Sequence, residues 1–250
     1  MLRQLVASDW YLYISTWARK HQMRSSNSVQ KRIFEGQLIH ILVLLVCLVG
    51  VNISMAMPSV VAGHFISVST RYWIWLAVVN AIAHQVYVWF FWRIELHAGM
   101  LSKWFGPRAF KYFSVGFIIF FILRPILAFS LGWANKGTMP LNEWLSYGAT
   151  VICFIGASYT MHSIKVHFSF KRAFGIDHFD HNYRKLPLVR EGVFRISPNA
   201  MYLFGFLALW IPVFLFQSQA ALVAAVFSHV YIWVHYVTTE KPDMDHIYGN

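Results

Sequence analysis

The sequence predicts an all-α polytopic integral membrane protein with about six transmembrane helices. Of its 250 residues, 58% are hydrophobic and only 12% are charged, whereas roughly a quarter of the residues in a soluble domain are charged. The apolar residues fall into runs close to the ~20 residues that a helix needs to cross the hydrocarbon of a bilayer. Aromatic residues make up 18% of the chain, as expected where Trp and Tyr line both membrane interfaces.

Three regions follow one another along the chain: an N-terminal segment (residues 1–37), a four-span membrane region (38–166) and a closing region (167–250). Between residues 2 and 20, apolar side chains recur at helical spacing among polar ones, which predicts a helix in the interface plane. The predicted spans are Leu38–Met57, Tyr72–Trp92, Phe113–Leu131, Leu145–Val166, Met201–Phe216 and Ala220–Val237. The fifth is short and forms a hairpin with the sixth, and a count of five stays open because hydropathy alone can merge or split spans.

The basic residues predict the orientation of the chain. Its formal net charge is +11, but Lys and Arg lie in loops between apolar runs, so we expect anionic lipids rather than nucleic acid as their partners. The loops after the first and third spans carry only Arg71 and Lys136, whereas the N-terminal segment and the other loops are richer. Both termini are therefore expected in the cytosol, and the membrane is a bacterial inner membrane or the endoplasmic reticulum. The two polar ends of the final hairpin should then face each other.

The polar loop over residues 165–199 contains the candidates for proton transfer. Asp177, His178 and His181 lie within five positions, and a His beside a carboxylate suits a general base near neutral pH. A solvated loop against lipid headgroups explains the same residues equally well. A di-iron site is disfavoured, because the twelve His include no adjacent pair and are scattered over several spans. No metal is predicted.

Polar residues also occur within the predicted spans. Arg124 lies in the third span beside Pro125, where a charge is costly and faces the bundle interior or a wet cavity. It is suited to a lipid phosphate or a cofactor carboxylate, although snorkelling or a bond to a carbonyl freed by the proline accounts for it as well. Gly156 lies in a stretch of small residues in the fourth span, which suits helix packing or a flat ligand.

The final helix and its end carry further polar and aromatic groups. His229, Trp233 and Tyr236 recur at helical spacing. Aromatic rings can hold a sulfonium or quaternary ammonium by cation–π attraction, although core packing is the commoner reason for such rings. His235 and Glu240 follow on the same segment, and a carboxylate at this membrane boundary has few structural reasons to be there.

Residues 167–250 resemble the superfamily of integral-membrane methyltransferases that includes phosphatidylethanolamine N-methyltransferase and isoprenylcysteine carboxyl methyltransferase. The resemblance rests on four short elements in order: Gly192-Val193-Phe194-Arg195, Asn199-Ala200-Met201-Tyr202, Glu240-Lys241-Pro242 and Ile247-Tyr248. Ala200 replaces a proline of the family pattern, and Lys241 replaces its second acidic residue. Either Glu240 suffices alone, or Asp243 or Asp245 takes the place of the missing carboxylate.

The resemblance implies S-adenosylmethionine as cofactor, bound between the Asn199–Tyr202 turn and Glu240. The candidate cofactor-binding residues are Gly156, Arg195, Asn199, Met201, Tyr202, His235 and Glu240. The implied acceptor is a membrane lipid or lipid-like molecule, and we expect the amine of a phospholipid headgroup, with His178 or His181, assisted by Asp177, as the base. The alternatives are a prenylated or other hydrophobic carboxylate, which needs no base, an NADPH enzyme resembling sterol reductases, and a non-catalytic scaffold.

Overall fold

Helices make up most of the chain in the computed structural model, which describes residues 28–249. We number the helices of eight residues or more: α1 (Gln37–Ser54), α2 (Thr70–Ala98), α3 (Ala109–Ala134), α4 (Glu143–Ser163), α5 (Gln219–His235) and α6 (Lys241–Tyr248). Short α-helices lie at Pro58–Val61, Met100–Phe105, Phe170–Ala173, His181–Arg184, Ala200–Leu203 and Ile211–Leu215. Other helical segments are 3₁₀ (Gly106–Arg108, Ile176–His178, Gly192–Arg195, Gly205–Leu209) or π (Ile164–Phe168, Tyr236–Glu240). A small antiparallel hairpin pairs β1 (His64–Phe65) with β2 (Val68–Ser69).

Four helical stretches of the described chain are long and apolar enough to cross a membrane: Ser28–Ser54, Thr70–Ala98, Met100–Ala134 and Gln219–Tyr248. They contain the second, third and sixth predicted spans and most of the first, which ends at Ser54 rather than at Met57. Their outer surfaces are apolar; Leu38 and Val46, for example, are both 71% exposed. A surface of this kind marks contact with lipid or a partner. The prediction of an all-α integral membrane protein is confirmed, while the interfacial helix predicted at residues 2–20 lies outside the described residues.

The fourth and fifth predicted spans differ from those four helices. The fourth is α4, a continuous helix of 21 residues whose Ser, Thr, Tyr and Gly residues make it less apolar. The fifth is broken into Ala200–Leu203, the 3₁₀ segment Gly205–Leu209 and Ile211–Leu215. Pro212 lies in the first turn of the last piece, where its missing N–H costs no helical hydrogen bond. The count of six crossings stays a prediction.

Two of the long helices, α3 and α5, pack on α2. This helix contacts α3 along its length and also contacts α5, which in turn packs on α1. Between α1, α2 and α5 lies a buried apolar cluster that includes Val51, Ile74, Val78, Phe227 and Tyr231. α4 packs against the broken arm of the closing hairpin. The closing hairpin is thus held between α4 and the other long helices.

Asn135 connects several segments at the end of the bundle that is remote from Glu240. Its side chain is almost fully buried, and its amide donates to the carbonyls of Ser59 (2.9 Å) and Ala62 (2.8 Å). The amide oxygen accepts from the Ser218 hydroxyl (3.0 Å) and the Ala220 N–H (2.8 Å). One side chain therefore ties together the end of α3, the connection before α2 and the start of α5.

Replacing Asn135 by Leu should lower the thermal unfolding midpoint by about 5 °C or more, because buried backbone groups lose their partners. The matched control is Asn52→Leu, since Asn52 is exposed and bonds only the Leu48 carbonyl of its own helix. Thermal unfolding in detergent measures both variants. Equal midpoints for the two would contradict the role given to Asn135.

Candidate functional site

The structure brings the two polar ends of the closing hairpin together through three aromatic rings. Tyr202 lies in Ala200–Leu203, at the start of the first arm, while Trp233 and Tyr236 lie where α5 ends. The ring centroid of Tyr202 is 5.9 Å from that of Trp233 and 5.7 Å from that of Tyr236, and the last two rings are 5.6 Å apart. Each ring is half-buried. His229, two turns earlier, accepts a hydrogen bond from the Trp210 indole instead (3.0 Å).

The helix changes its winding just before Glu240. α5 ends at His235, and Tyr236–Glu240 is a π-helix that continues directly into α6. A π-turn is wider than an α-turn, leaves backbone groups to be bonded differently, and often occurs at functional sites. Here the carbonyls of Thr238 and Thr239 accept hydrogen bonds from Arg93 on α2 (3.0 and 3.3 Å). The backbone that carries Glu240 is therefore fixed by a side chain from another helix.

Arg93 is the most highly connected side chain in this region and is fully buried. Its Nε donates to Asp243 (3.0 Å), and Nη1 donates to the carbonyls of Ile33 (3.2 Å) and Glu35. A fully buried guanidinium needs such a set of acceptors, because an unpaired charge in an apolar interior is strongly unfavourable. Arg93 thus joins α2, the turn before α1, the π-helical segment and α6.

Gly36 permits the close approach of this turn to the π-helical segment. Its φ is +75°, and a Cβ there would lie 2.7 Å from the Thr238 carbonyl oxygen. Gln37, the next residue, donates to the Thr239 hydroxyl (3.3 Å) and bonds His40 (3.0 Å). His40 in turn bonds the Tyr231 hydroxyl (2.7 Å). A buried chain of hydrogen bonds therefore runs along the α1–α5 contact to the site.

Glu240 is held at this position with one carboxylate oxygen unused. Its Oε2 is buried and has no hydrogen-bond partner among the described residues. It also lies close enough to Asp243 for the two carboxylates to interact electrostatically. A buried acceptor without a donor costs free energy, and a ligand amino group or hydroxyl would satisfy it. Glu240 therefore fits the role expected of it, which is to accept from the amino group or the ribose of a nucleoside cofactor.

Neither Asp243 nor Asp245 is free to take the place of the missing second acidic residue. Asp243 is buried, with one oxygen on Arg93 and the other 3.4 Å from His178 Nε2. Asp245 is exposed and pairs with Lys241 at 3.0 Å. Glu240 Oε2 and Asp243 Oδ2 are both buried without a hydrogen-bond partner, but of the two carboxylates only Glu240 forms no ion pair with another described residue.

The predicted base residues Asp177 and His178 are enclosed. The His178 ring is stacked on Trp92 at 4.2 Å between centroids and is 1% exposed. Asp177 lies 3.7 Å from Arg172 Nε and also interacts with the Tyr248 hydroxyl. Burial raises the pKa of Asp177, and the nearby charges of Arg172 and His178 oppose that rise. These contacts dock the loop onto α2 and the C-terminal helix, a structural use that the loop's sequence does not indicate.

His181 differs from the other two candidates because it is exposed. It opens the short helix His181–Arg184, and its Nδ1 accepts from Arg184 Nη1 at 3.2 Å. Arg184 also donates to the carbonyls of Asp177 (2.7 Å) and His178 (3.0 Å). The three predicted base residues are therefore brought together by Arg184, but only His181 presents its ring to the solvent.

The segment leading into the hairpin is fixed by a close backbone approach. Gly192 has φ +58°, and a Cβ there would lie 2.7 Å from the Ser163 hydroxyl, which accepts from the Val193 N–H (3.1 Å). Arg195 follows and is exposed, with no ion pair to Glu240.

Asn199 opens the next helix, and its carbonyl accepts from the N–H groups of Tyr202 (3.0 Å) and Leu203 (3.1 Å). Met201 is half-buried and packs on the cluster that contains Val193 and Ala200.

Two further predicted cofactor residues lie apart from the aromatic cluster. Gly156 faces Leu207, whose Cδ1 would be 2.8 Å from an added Cβ, so this glycine lets α4 pack closely on the broken arm. His235 is buried with neither ring nitrogen hydrogen-bonded, and its ring centroid lies 6.1 Å from Trp92 and 6.5 Å from His40. Within residues 28–249, no group of three or more His, Cys, Asp or Glu is arranged to hold a metal.

Sequence reasoning missed Arg93 and Gln37. The only signal for Arg93 was a charge just after the second predicted span, which also suits an ordinary interfacial residue. Its partner Asp243 is 150 positions away, and no local pattern connects the two. Gln37 lay at the edge of the first span, and its contact with Thr239 is equally remote in sequence.

Replacing Arg93 by Gln should lower the unfolding midpoint by about 6 °C or more, because Asp243 would lose its cationic partner and the four carbonyls that Arg93 bonds would lose most of their donors. Arg93→Lys should recover only part of the loss, since an ammonium lacks the planar fork that reaches separate acceptors. The control is Lys241→Gln, whose exposed ion pair contributes little. Thermal unfolding of the three variants measures this, and an Arg93→Gln midpoint equal to that of Lys241→Gln would be the contrary result.

Comparison with known proteins bears on this region directly. Residues 145–250 match the family model of phospholipid methyltransferases. No curated protein and no solved structure matches the chain. The matched region begins within α4 and includes the polar loop, the closing hairpin and Glu240. The resemblance found in the sequence is confirmed: the match over residues 145–250 is consistent with the integral-membrane methyltransferase superfamily.

Proposed function

We propose that the protein transfers a methyl group from S-adenosylmethionine to the amine of a phospholipid headgroup. The observation that carries this proposal is the buried, unpaired Oε2 of Glu240, which lies in the matched region four residues after the Tyr236 ring. A buried acceptor one helical turn along the chain from an aromatic cluster is suited to a ligand that has both N–H or O–H donors and a sulfonium.

In this proposal the cofactor binds between the two ends of the closing hairpin. Glu240 accepts from its amino group or ribose, and the turn at Asn199, Met201 and Tyr202 contacts it from the facing arm. Gly156, Arg195 and His235 remain in the proposal as further contacts. S-adenosylmethionine, when bound, supplies an electrophilic methyl group. Displacement at that methyl needs positioning and the exclusion of water, and the half-buried rings and the fixed π-helical segment suit both tasks.

An amine acceptor must lose a proton before its nitrogen can attack. Of the three predicted base residues, His181 suits this step best, because its ring is exposed while His178 is stacked on Trp92 and Asp177 lies against Arg172. In the proposal His181 accepts the proton, and the other two position the loop.

The proposed placement in the membrane follows from the loop charges. Six crossings with both termini in the cytosol place Glu240 and Tyr202 at the cytosolic interface, where a water-soluble cofactor meets a membrane-embedded acceptor. The basic loops would contact anionic lipids there. A bacterial inner membrane or the endoplasmic reticulum provides that setting.

A second candidate is methylation of a hydrophobic carboxylate, such as a prenylated one. The enclosure of His178 and Asp177 favours it, because a carboxylate acceptor needs no base. Parallel methylation assays with aminophospholipid vesicles and with a prenylated cysteine, using labelled S-adenosylmethionine, distinguish the two acceptors.

Replacing Glu240 by Gln should weaken binding of S-adenosylmethionine by about 10-fold or more, because a hydrogen bond to a charged group is lost. Asp245→Asn is the matched control, since the Asp245 side chain is 42% exposed and pairs with Lys241. Binding to detergent-purified protein measures both variants. Unchanged affinity in a folded Glu240→Gln protein would remove Glu240 from the site.

A further inference from the structure

A half-buried cationic side chain with incomplete bonding lies midway along α3. Arg124 is about 22 Å along α3 from Ala109 and about 15 Å from Ala134, which is near the middle of a bilayer about 30 Å thick. Its Nη2 donates to the Ala81 carbonyl of α2 at 3.4 Å, and its guanidinium lies over the Phe206 ring at 5.4 Å. Its Nε is buried and has no hydrogen-bond partner.

The surroundings of Arg124 contain no compensating negative charge. No carboxylate within residues 28–249 forms an ion pair with it. The nearest ionisable neighbours that interact with it electrostatically are His84, His235 and Tyr231, and each of these carries an N–H or O–H donor. All four ring nitrogens of His84 and His235 are themselves buried without partners. A neutral imidazole has one donor and one acceptor nitrogen, so the two rings balance, whereas the Nε–H of Arg124 is an additional donor without an acceptor.

Arg124 also lines a small cavity between α2, α3, α5 and the broken arm. The cavity has a volume of about 20 Å³, which is enough for one water-sized species and too small for a phosphate or an organic acid. Alanines provide the space (Ala77, Ala128, Ala221, Ala224 and Ala225), and Ser228 adds a hydroxyl. The size of the cavity limits the size of a ligand, and its charged lining determines the sign of the ligand's charge.

We propose that this cavity binds a small monatomic anion, with chloride as the biological species, held by the Arg124 guanidinium and the Ser228 hydroxyl. An unpaired guanidinium in a low-dielectric interior costs several kcal/mol in general, and one anion in contact with it removes most of that cost. Ser228 donates a hydrogen bond from the opposite helix, α5. The cavity is separate from the proposed cofactor site at Glu240, because Ser228 lies about three turns before Glu240 along the same helical stretch.

The test is thermal unfolding of the whole protein in detergent, with gluconate replaced stepwise by chloride at constant ionic strength. Above the dissociation constant, each tenfold increase in chloride should raise the wild-type midpoint by about 3–5 °C. Arg124→Gln should not respond to chloride and, in gluconate, should be at least as stable as the wild type because it lacks the unpaired charge. Arg71→Gln, at an exposed position, should respond as the wild type does.

A second variant keeps the charge and removes the space. Ala128→Leu fills the cavity and leaves Arg124 in place, so its midpoint should also lose its dependence on chloride. A wild-type midpoint that is independent of chloride, or an equal chloride response in the wild type and Ala128→Leu, would overturn the proposal. The first outcome would leave water as the occupant, and the second would put any anion binding elsewhere.

Discussion

The buried guanidinium of Arg93 is the interaction on which the site depends. It cannot stay charged in an apolar interior without acceptors, and it finds them on the turn before α1, on the π-helical segment and on Asp243. Satisfying one charge thus fixes three segments that are far apart in sequence. The position of Glu240 follows from this, because Glu240 lies between the carbonyls and the carboxylate that Arg93 binds.

The same constraint accounts for the departure from the family pattern at Lys241. A second carboxylate next to Glu240 would add negative charge beside a buried acid, whereas Lys241 points outward to Asp245. Asp243 is neutralised by Arg93 and lies against His178. Among the described residues, Glu240 is therefore the carboxylate at the hairpin end that forms no ion pair. The polar loop over residues 165–199 docks on α6, where His178 faces Asp243 and Arg172 donates to the Tyr248 hydroxyl.

Hydropathy and length predicted four of the long helices well. A run of about twenty apolar residues in lipid must form a helix to satisfy its own backbone hydrogen bonds, so each such helix can be predicted from its own segment of sequence. Glu240 was singled out from the sequence, because a carboxylate at a membrane boundary is conspicuous, whereas Tyr202 was named through the resemblance to the methyltransferase superfamily; the role of each stays a prediction. The broken arm was predicted as one span, because hydropathy does not register the 3₁₀ turn at Gly205–Leu209. The burial of His178 depends on Trp92, a contact across the fold that no local pattern encodes.

Direct binding of S-adenosylmethionine, measured by calorimetry on detergent-purified protein with NADPH as the comparison, tests the central claim most directly. The account predicts stoichiometric, micromolar binding of S-adenosylmethionine and none of NADPH. Binding of NADPH alone would make the protein a reductase, and binding of neither by folded protein would mean that the hairpin ends have a structural role only.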